Sequence, residues 1–579
     1  MMQRTITRNL LAGLIASLFI PLGAQAADAD LLKKIEAMAK EIEALRAQVQ
    51  ANQDANKQAI ADVREVKEKV RKNEDRSLEK WLTVGGDYQF RIDSLAGETN
   101  AFTDVNATFA NAQNQLQAAF FANPSPANAA ALSGLMNFAQ GIAGVQTYSQ
   151  AQTFLGANAA MLGAIGGYAV TVPAYKPKNE TLYSNRFGLD LNMKAAQDVS
   201  VTARLLMYKT FGASDEGALT NSGAAPFFAD RVGVFDGTVG HIPSSSFLNV
   251  DRVYATWSNI AEQDIWFSVG RRPSTNGAPN HLRANTARPG TGGTPALLVD
   301  YAFDGMTVGW APDIDALPGA YGKICYGRGY ESGFSKALTN SLEDTDMLGI
   351  SVVPIDTDPL RVWLQWNRGM SIFDAPKMAS TYFGTTMPKT NLGDIDWYGA
   401  GALGTIKNVG RGKLNWFADA GMSVTHPNDN VSAQFGFQGL MTGAFFNPEA
   451  PSSKTGTAIY LGLRYDLPSK TKLGLEYNHG SKNWITFAPA AGDSWTSKVG
   501  TRGNVYEVYA IQELDAKPIS SFMAKSFFRL GFQYYDFQYT GSNNWVGAPV
   551  KISDVNGQMM TTTPLSKAYN AYATFEVKF

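Results

Sequence analysis

The last twelve residues, Ala568 to Phe579, alternate without a break. Tyr569, Ala571, Ala573, Phe575, Val577 and Phe579 form an apolar row, and Asn570, Tyr572, Thr574, Glu576 and Lys578 form a mostly polar one. Period two is the mark of a strand with one face in an apolar medium and one in a polar medium. A terminal strand of a soluble sheet usually frays. In a closed membrane barrel the last strand instead pairs with the first, because an unpaired backbone group in lipid costs several kcal/mol. The stretch therefore predicts the closing strand of an outer-membrane barrel, with the edge of a soluble sandwich as the alternative.

The same alternation recurs along the chain. Val84, Gly86, Tyr88, Phe90 and Ile92 oppose Asp87, Gln89, Arg91 and Asp93. Phe187 to Met193, Val199 to Met207, Leu360 to Trp366, Leu414 to Met422, Leu461 to Tyr465, Leu473 to Tyr477 and Phe528 to Tyr534 repeat it. Weaker strands fill 247–259, 264–272, 296–311, 320–330, 346–355, 394–406 and 502–514. The expected fold class is all-β: a transmembrane antiparallel barrel over 81–579 of about sixteen strands, an even number in the porin range.

Parity tests this count, since connections should alternate short on the periplasmic side and long outside. They alternate only if 296–311 is one strand, with Asp304-Gly305 as a bulge where the apolar face changes phase from Phe303 to Met306. The first long connection, 95–181, is rich in Ala, Asn and Gln, with helix-like pieces near 108–122 and 127–141. A structureless loop of that length is improbable, so a helical lid or plug is expected, with disorder as the alternative.

The N-terminus reads as an export signal over residues 1–26. Arg4 and Arg8 precede an apolar core at 10–22, and Ala24-Gln25-Ala26 is a small-x-small site, which predicts cleavage after Ala26. No later run of about 18 apolar residues offers a helical span, so the expected destination is the outer membrane of a Gram-negative cell. Residues 27–80 carry a strict heptad: Leu31, Ile35, Met38, Ile42, Leu45, Val49, Asn52, Asn56, Ala59, Val63, Val66, Val70 and Asn73 step by four and three. That predicts a periplasmic coiled coil in a homo-oligomer. A seam rich in β-branched residues suits three strands, and Asn52, Asn56 and Asn73 set register. Such a segment could also bind the cell wall or a periplasmic partner. Formal net charge is −1, which points to no nucleic-acid partner.

The most informative loop for chemistry is the third long one. Between Arg271 and Val299 there is no Asp or Glu, but there are Arg271, Arg272, Arg283, Arg288 and His281. Folded inward, such a loop would make a basic constriction that favours anions; held outside, it would meet headgroups or other loops. Arg271 falls in the outward phase of its strand, and Asp300 and Asp304 follow closely enough to fold back. The lumen rows carry both signs. Arg91, Arg204, Arg361, Arg464 and Arg529 stand with Asp87 and other carboxylates, either across a water path as a transverse field or paired between strands.

Enzyme signals are weak in the sequence, with a barrel protease or lipase carrying its site at the rim as the alternative. The histidines (His241, His281, His426, His479) lack metal spacing. Gly399, Gly401 and Gly404 match a dinucleotide fingerprint only by letters, inside a strand pattern with no helix after it. No catalytic site, metal or cofactor is expected.

Five stretches carry a family resemblance: Gly86 to Arg91 (GDYQFR), Val250 to Tyr254 (VDRVY), Gly270 to Thr275 (GRRPST), Leu298 to Gly305 (LVDYAFDG) and Tyr321 to Gly329 (YGKICYGRG). They resemble an uncharacterised family of bacterial outer-membrane, porin-like proteins known as a domain of unknown function. The layout of signal, coiled coil and barrel is also similar to trimeric porins with N-terminal coiled coils. The resemblance implies a channel-like barrel and brings no substrate. The functional expectation is a passive channel for small hydrophilic solutes, with anions favoured. The alternatives are a structural barrel that anchors the coiled coil, or a porin sheath around a multihaem cytochrome.

Overall fold

The computed structural model describes residues 37, 39–43, 45, 49–50, 81–211, 248–273, 279–286, 297–334, 342–375, 378–381, 384–488, 493–515, 524–561 and 563–579. The chain divides into two units, 1–80 and 81–579. In the first, every described residue is helical, and Ile42, Leu45 and Val49 of the heptad seam are exposed. The signal segment and Asn52, Asn56 and Asn73 lie outside the described residues.

The second unit is a closed antiparallel barrel of sixteen strands. They are β1 (Leu82–Thr99), β2 (Lys178–Ala196), β3 (Val199–Phe211), β4 (Leu248–Trp257), β5 (Ile265–Pro273) and β6 (Ala302–Trp310). There follow β7 (Tyr321–Tyr330), β8 (Thr345–Asp356), β9 (Leu360–Phe373), β10 (Asn391–Val409) and β11 (Gly412–Pro427). The last are β12 (Thr455–Asp466), β13 (Thr471–Gly480), β14 (Gly503–Glu513), β15 (Lys525–Phe537) and β16 (Leu565–Lys578). Each pairs with its sequence neighbours, and β16 closes on β1 from Lys578 opposite Asp87 to Leu565 opposite Thr99. Phe579 completes the seam: its amide and carbonyl bond Gly86 at 3.0 and 2.8 Å. No sheet edge is left in the ring, which is what lipid demands of a spanning sheet. No described helix is long and apolar enough to cross a membrane, which says nothing of strands.

Alternation decides which face is which. On β12, Ile459, Leu461 and Leu463 are exposed, while Tyr460, Arg464 and Asp466 are buried inside the ring. Leu473 and Leu475, Val508, and Leu530 and Phe532 continue the apolar outer belt on β13 to β15. A cation at mid-height on a lipid-facing belt costs about 2–4 kcal/mol. Leu461→Arg is therefore expected to lower unfolding stability in lipid vesicles by that amount in urea titrations. A change within error would mean that this face does not meet lipid.

The 296–311 stretch differs from its reading. β6 starts at Ala302, and its register with β5 runs unbroken from Pro273↔Ala302 to Ile265↔Trp310, so Asp304-Gly305 is no bulge. Residues 297–301 leave the wall for the lumen, where Leu297 and Leu298 are fully buried and Val299 bridges Phe487. Phe303 also faces inward, against Tyr301 at 5.2 Å. Its aromatic ring looked lipid-facing only because the interior was assumed to be polar at that height.

Inward-folding connections give the long-loop end an apolar core. Leu297, Leu298 and Phe487 pack with Trp397, Phe373, Phe435, Leu440, Trp484, Trp545 and their neighbours. Four helices cap these loops: α1 (Val105–Ala122), α2 (Pro126–Ile142), α3 (Tyr148–Ala157) and α4 (Ala159–Gly166). Phe138, Phe109 and Phe154 meet Phe446 and Phe437 of the 428–454 connection. The backbone of Tyr148 donates to Asp429 at 2.8 Å, and that of Val431 donates to Gln146 at 2.9 Å. The helical reading of 108–122 and 127–141 thus agrees with α1 and α2.

Candidate functional site: a lumen divided by an inward loop

The connection between β5 and β6 has a described turn inside the barrel. Its described turn, 279–286, reaches the wall formed by β12 to β16. Three successive carbonyls there meet wall cations. Leu282 O accepts from Arg464 at 2.5 Å, Arg283 O from Arg529 and Ala284 O from Lys578. Asn285 follows, accepting from Lys472 at 2.6 Å and donating to Glu513 at 2.8 Å. Charge-assisted bonds of this kind are about twice as strong as neutral ones, and four in a row hold the turn in register.

The Arg283 side chain reaches Asp493 at 3.0 Å and Glu507 at 3.1 Å. Glu507, on β14, also receives Lys498 at 2.6 Å, Tyr572 at 2.6 Å and Gln533 at 3.1 Å. Lys498 pairs in addition with Glu476, which accepts from Tyr460 at 2.5 Å. Burial works against the charge on Arg283, but Glu507 and Asp493 hold its guanidinium well above its ordinary value. His281 behaves oppositely. Burial, reinforced by Arg464 and Arg361, lowers its imidazole to about 3, so it is neutral in this loop.

The basic loop residues consequently do not form one uncompensated cluster. Arg271 faces outward and pairs with Asp304 at 3.2 Å. Arg272 faces inward over the rings of Tyr254 and Trp266, bonded to Thr307, with no carboxylate partner among the described residues. Arg283 is doubly ion-paired, and Arg288 lies outside the described residues. The lumen residues also pair locally. Arg91 binds Asp93 at 2.7 Å, and Arg464 binds Asp466 at 2.7 Å. Arg529 binds Glu576 at 2.7 Å. Asp87 takes both Arg204 and Arg186, the latter at 2.8 Å, and Arg361 stands 4.0 Å from Asp356. Opposite charges are neighbours on one wall here, so pairing replaces the transverse field.

His281 and Thr286 of this turn line two cavities, one on either side of it. One cavity of about 480 Å³ lies against β1 to β4 and β15 to β16. Its cations, Arg91, Arg186, Arg204, Arg252, Arg283, Arg529 and Lys578, outnumber Asp87, Asp190, Asp300 and Glu576. The other, of about 400 Å³, lies at the short-turn end between β8 and β15. No described group of His, Cys, Asp and Glu is placed to hold a metal ion. Gly399, Gly401 and Gly404 stand within β10.

Residues 176–579 match a family described as "Protein of unknown function (DUF3373)". The chain belongs to the DUF3373 family. The match takes in four of the five stretches that carried the resemblance, while Gly86 to Arg91 lies ahead of it. No curated protein matches the sequence. Among solved structures, the chain is similar to in-vitro folded OmpT, an outer membrane protein of Vibrio cholerae, in trimer form. That likeness has 12% identity, 86% of this chain, 100% of that one and a TM-score of 0.34. It is similar to Pseudomonas putida OprB at high pH, with 10% identity, 87% and 95% coverage and a TM-score of 0.39. It is also similar to an anion-selective porin from Comamonas acidovorans, with 11% identity, 86% and 99% coverage and a TM-score of 0.36.

In this DUF3373 chain the sequence reading missed Asp493, Lys498, Arg502 and Glu507. Nothing local marks Arg502, whose side-chain partners are loop carbonyls and the Met441 sulfur. Glu507 could have been flagged as a carboxylate in the inward row of β14, between Val505 and Tyr509. Helices α3 and α4 were missed as well. The Thr147-x-x-Gln150 capping box that starts α3 was a readable signal.

Proposed function

We propose that this chain is an outer-membrane, porin-type channel for small hydrophilic solutes, with anions favoured, exported by cleavage after Ala26. The observation that carries this reading is a closed barrel with two polar cavities, each lined by more cations than carboxylates. Low-dielectric walls focus the field of such an excess. The exposed seam residues Ile42, Leu45 and Val49 support association through residues 27–80, read as a homotrimer.

A second reading, a barrel that anchors the coiled coil with its lumen blocked, is favoured by the apolar core of inward loops. The cytochrome sheath is disfavoured, because those loops occupy the space a second protein would need. Planar bilayers separate the readings. The channel reading expects steady conductance, with a reversal potential across a KCl gradient that shows chloride preference. It also expects Arg272→Ala, which removes a lumen cation with no carboxylate partner among the described residues, to reduce that preference. Cation preference in the native protein removes the anion claim, and silence removes the channel.

A further inference from the structure

The cavity of about 400 Å³ at the short-turn end is lined by Arg361, Lys407, Lys413, Arg464, Lys472 and Lys525, against Asp356, Asp358 and Asp466. Two of the cations are committed to the inward loop and its supports. Arg464 holds Asp466 and the Leu282 carbonyl, and Lys472 holds Glu513 and Asn285. The other four are not tightly paired. Arg361 touches the Tyr321 hydroxyl, with its carboxylate 4.0 Å away. Lys413 lies 3.9 Å from Asp466, which Arg464 already engages. Lys407 and Lys525 make no ion pair or side-chain hydrogen bond among the described residues. Like charges gathered around one space repel, and burial raises that cost. A ligand bearing several negative charges removes it.

We propose that this cavity binds a small organic polyanion, a di- or tricarboxylate or a phosphate ester. Its volume falls in the range of small-molecule sites, about 300–1,000 Å³. Arg361 presents a planar fork suited to carboxylate or phosphate, and the lysines add adaptable point charges around it. A single chloride would leave most of the excess uncompensated, whereas a di- or trianion matches it. The site names a solute class for the proposed channel and rests on that reading only for how the solute arrives.

The test is calorimetric titration of the full chain in detergent with citrate, glucose 6-phosphate and glucose. Citrate, glucose 6-phosphate or both should bind and glucose should not. Binding of citrate alone assigns carboxylates, and binding of the sugar phosphate alone assigns phosphate esters. Lys407→Gln with Lys525→Gln, which removes no native pair, should weaken binding about tenfold. Arg361→Gln should weaken it as much. No heat with either anion at millimolar concentration, or unchanged affinity in the double variant, overturns the site. Conductance without polyanion binding sinks the site and leaves the channel reading. Binding without conductance does the reverse.

Discussion

Arg502→Met is expected to loosen the long-loop mouth while the barrel stays folded. Arg502 is almost completely buried and ties three connections together. Its Nε donates to Trp484 O at 3.0 Å, and its terminal nitrogens donate to Thr540 O at 3.2 Å, Gly541 O at 2.7 Å and Asn544 O at 2.5 Å. The Met441 sulfur lies at 3.4 Å. Burial lowers the guanidinium to about 9, so it remains charged at neutral pH. Methionine fills similar space but donates nothing. Each buried carbonyl left unpaired costs about 1–3 kcal/mol, so the mouth should lose several kcal/mol. Loop residues 428–454, 481–502 and 538–564 should become open to limited proteolysis, with strand content by circular dichroism unchanged. Arg502→Lys should recover part of the resistance, since an ammonium keeps three donors but loses the fork. If the methionine variant resists proteolysis as the native protein does, these bonds do not hold the mouth together.

Arg283→Ala should release the loop that divides the lumen. It leaves the buried carboxylates of Glu507 and Asp493 short of a cation, with Lys498, Gln533 and Tyr572 among the remaining partners. Breaking one side of a buried pair typically costs about 3–5 kcal/mol, mostly from the charge left behind. Hydrogen exchange across 279–286 should rise by orders of magnitude, and single-channel conductance should increase as the two cavities merge. Adding Glu507→Gln removes part of the stranded charge and should recover a share of the loss, which a double-mutant cycle would measure. Exchange unchanged in Arg283→Ala would mean that the three carbonyl contacts and those of Asn285 hold the turn without it. A lower conductance would mean that the loop, once released, blocks the path it had divided.

The lipid side of the barrel was legible because it depends on local order. Alternation along Leu82–Thr99 or Leu565–Lys578 needs no knowledge of distant residues: one side chain in two faces lipid whatever the partner strand. Strand number, the order of short and long connections, closure of the last strand on the first, and α1 and α2 all follow from such local signals. The same locality explains the failure at 296–311. An apolar residue in a strand pattern says that it leaves water, but not whether it enters lipid or an interior core.

The character of the lumen was decided by tertiary structure alone. Four arginines and a histidine in one acid-free loop looked like uncompensated charge. Arg283, however, finds its carboxylates 210 and 224 residues away, Arg271 turns outward to Asp304, and burial neutralises His281. Whether a charge acts on a solute or holds a wall depends on what stands within a few ångströms of it. The chain alone determined the period of its strands and therefore the barrel. Which loops fold inward, which arginines they use up and which cations are left facing a cavity depended on contacts between segments far apart in sequence, and no local pattern encodes those.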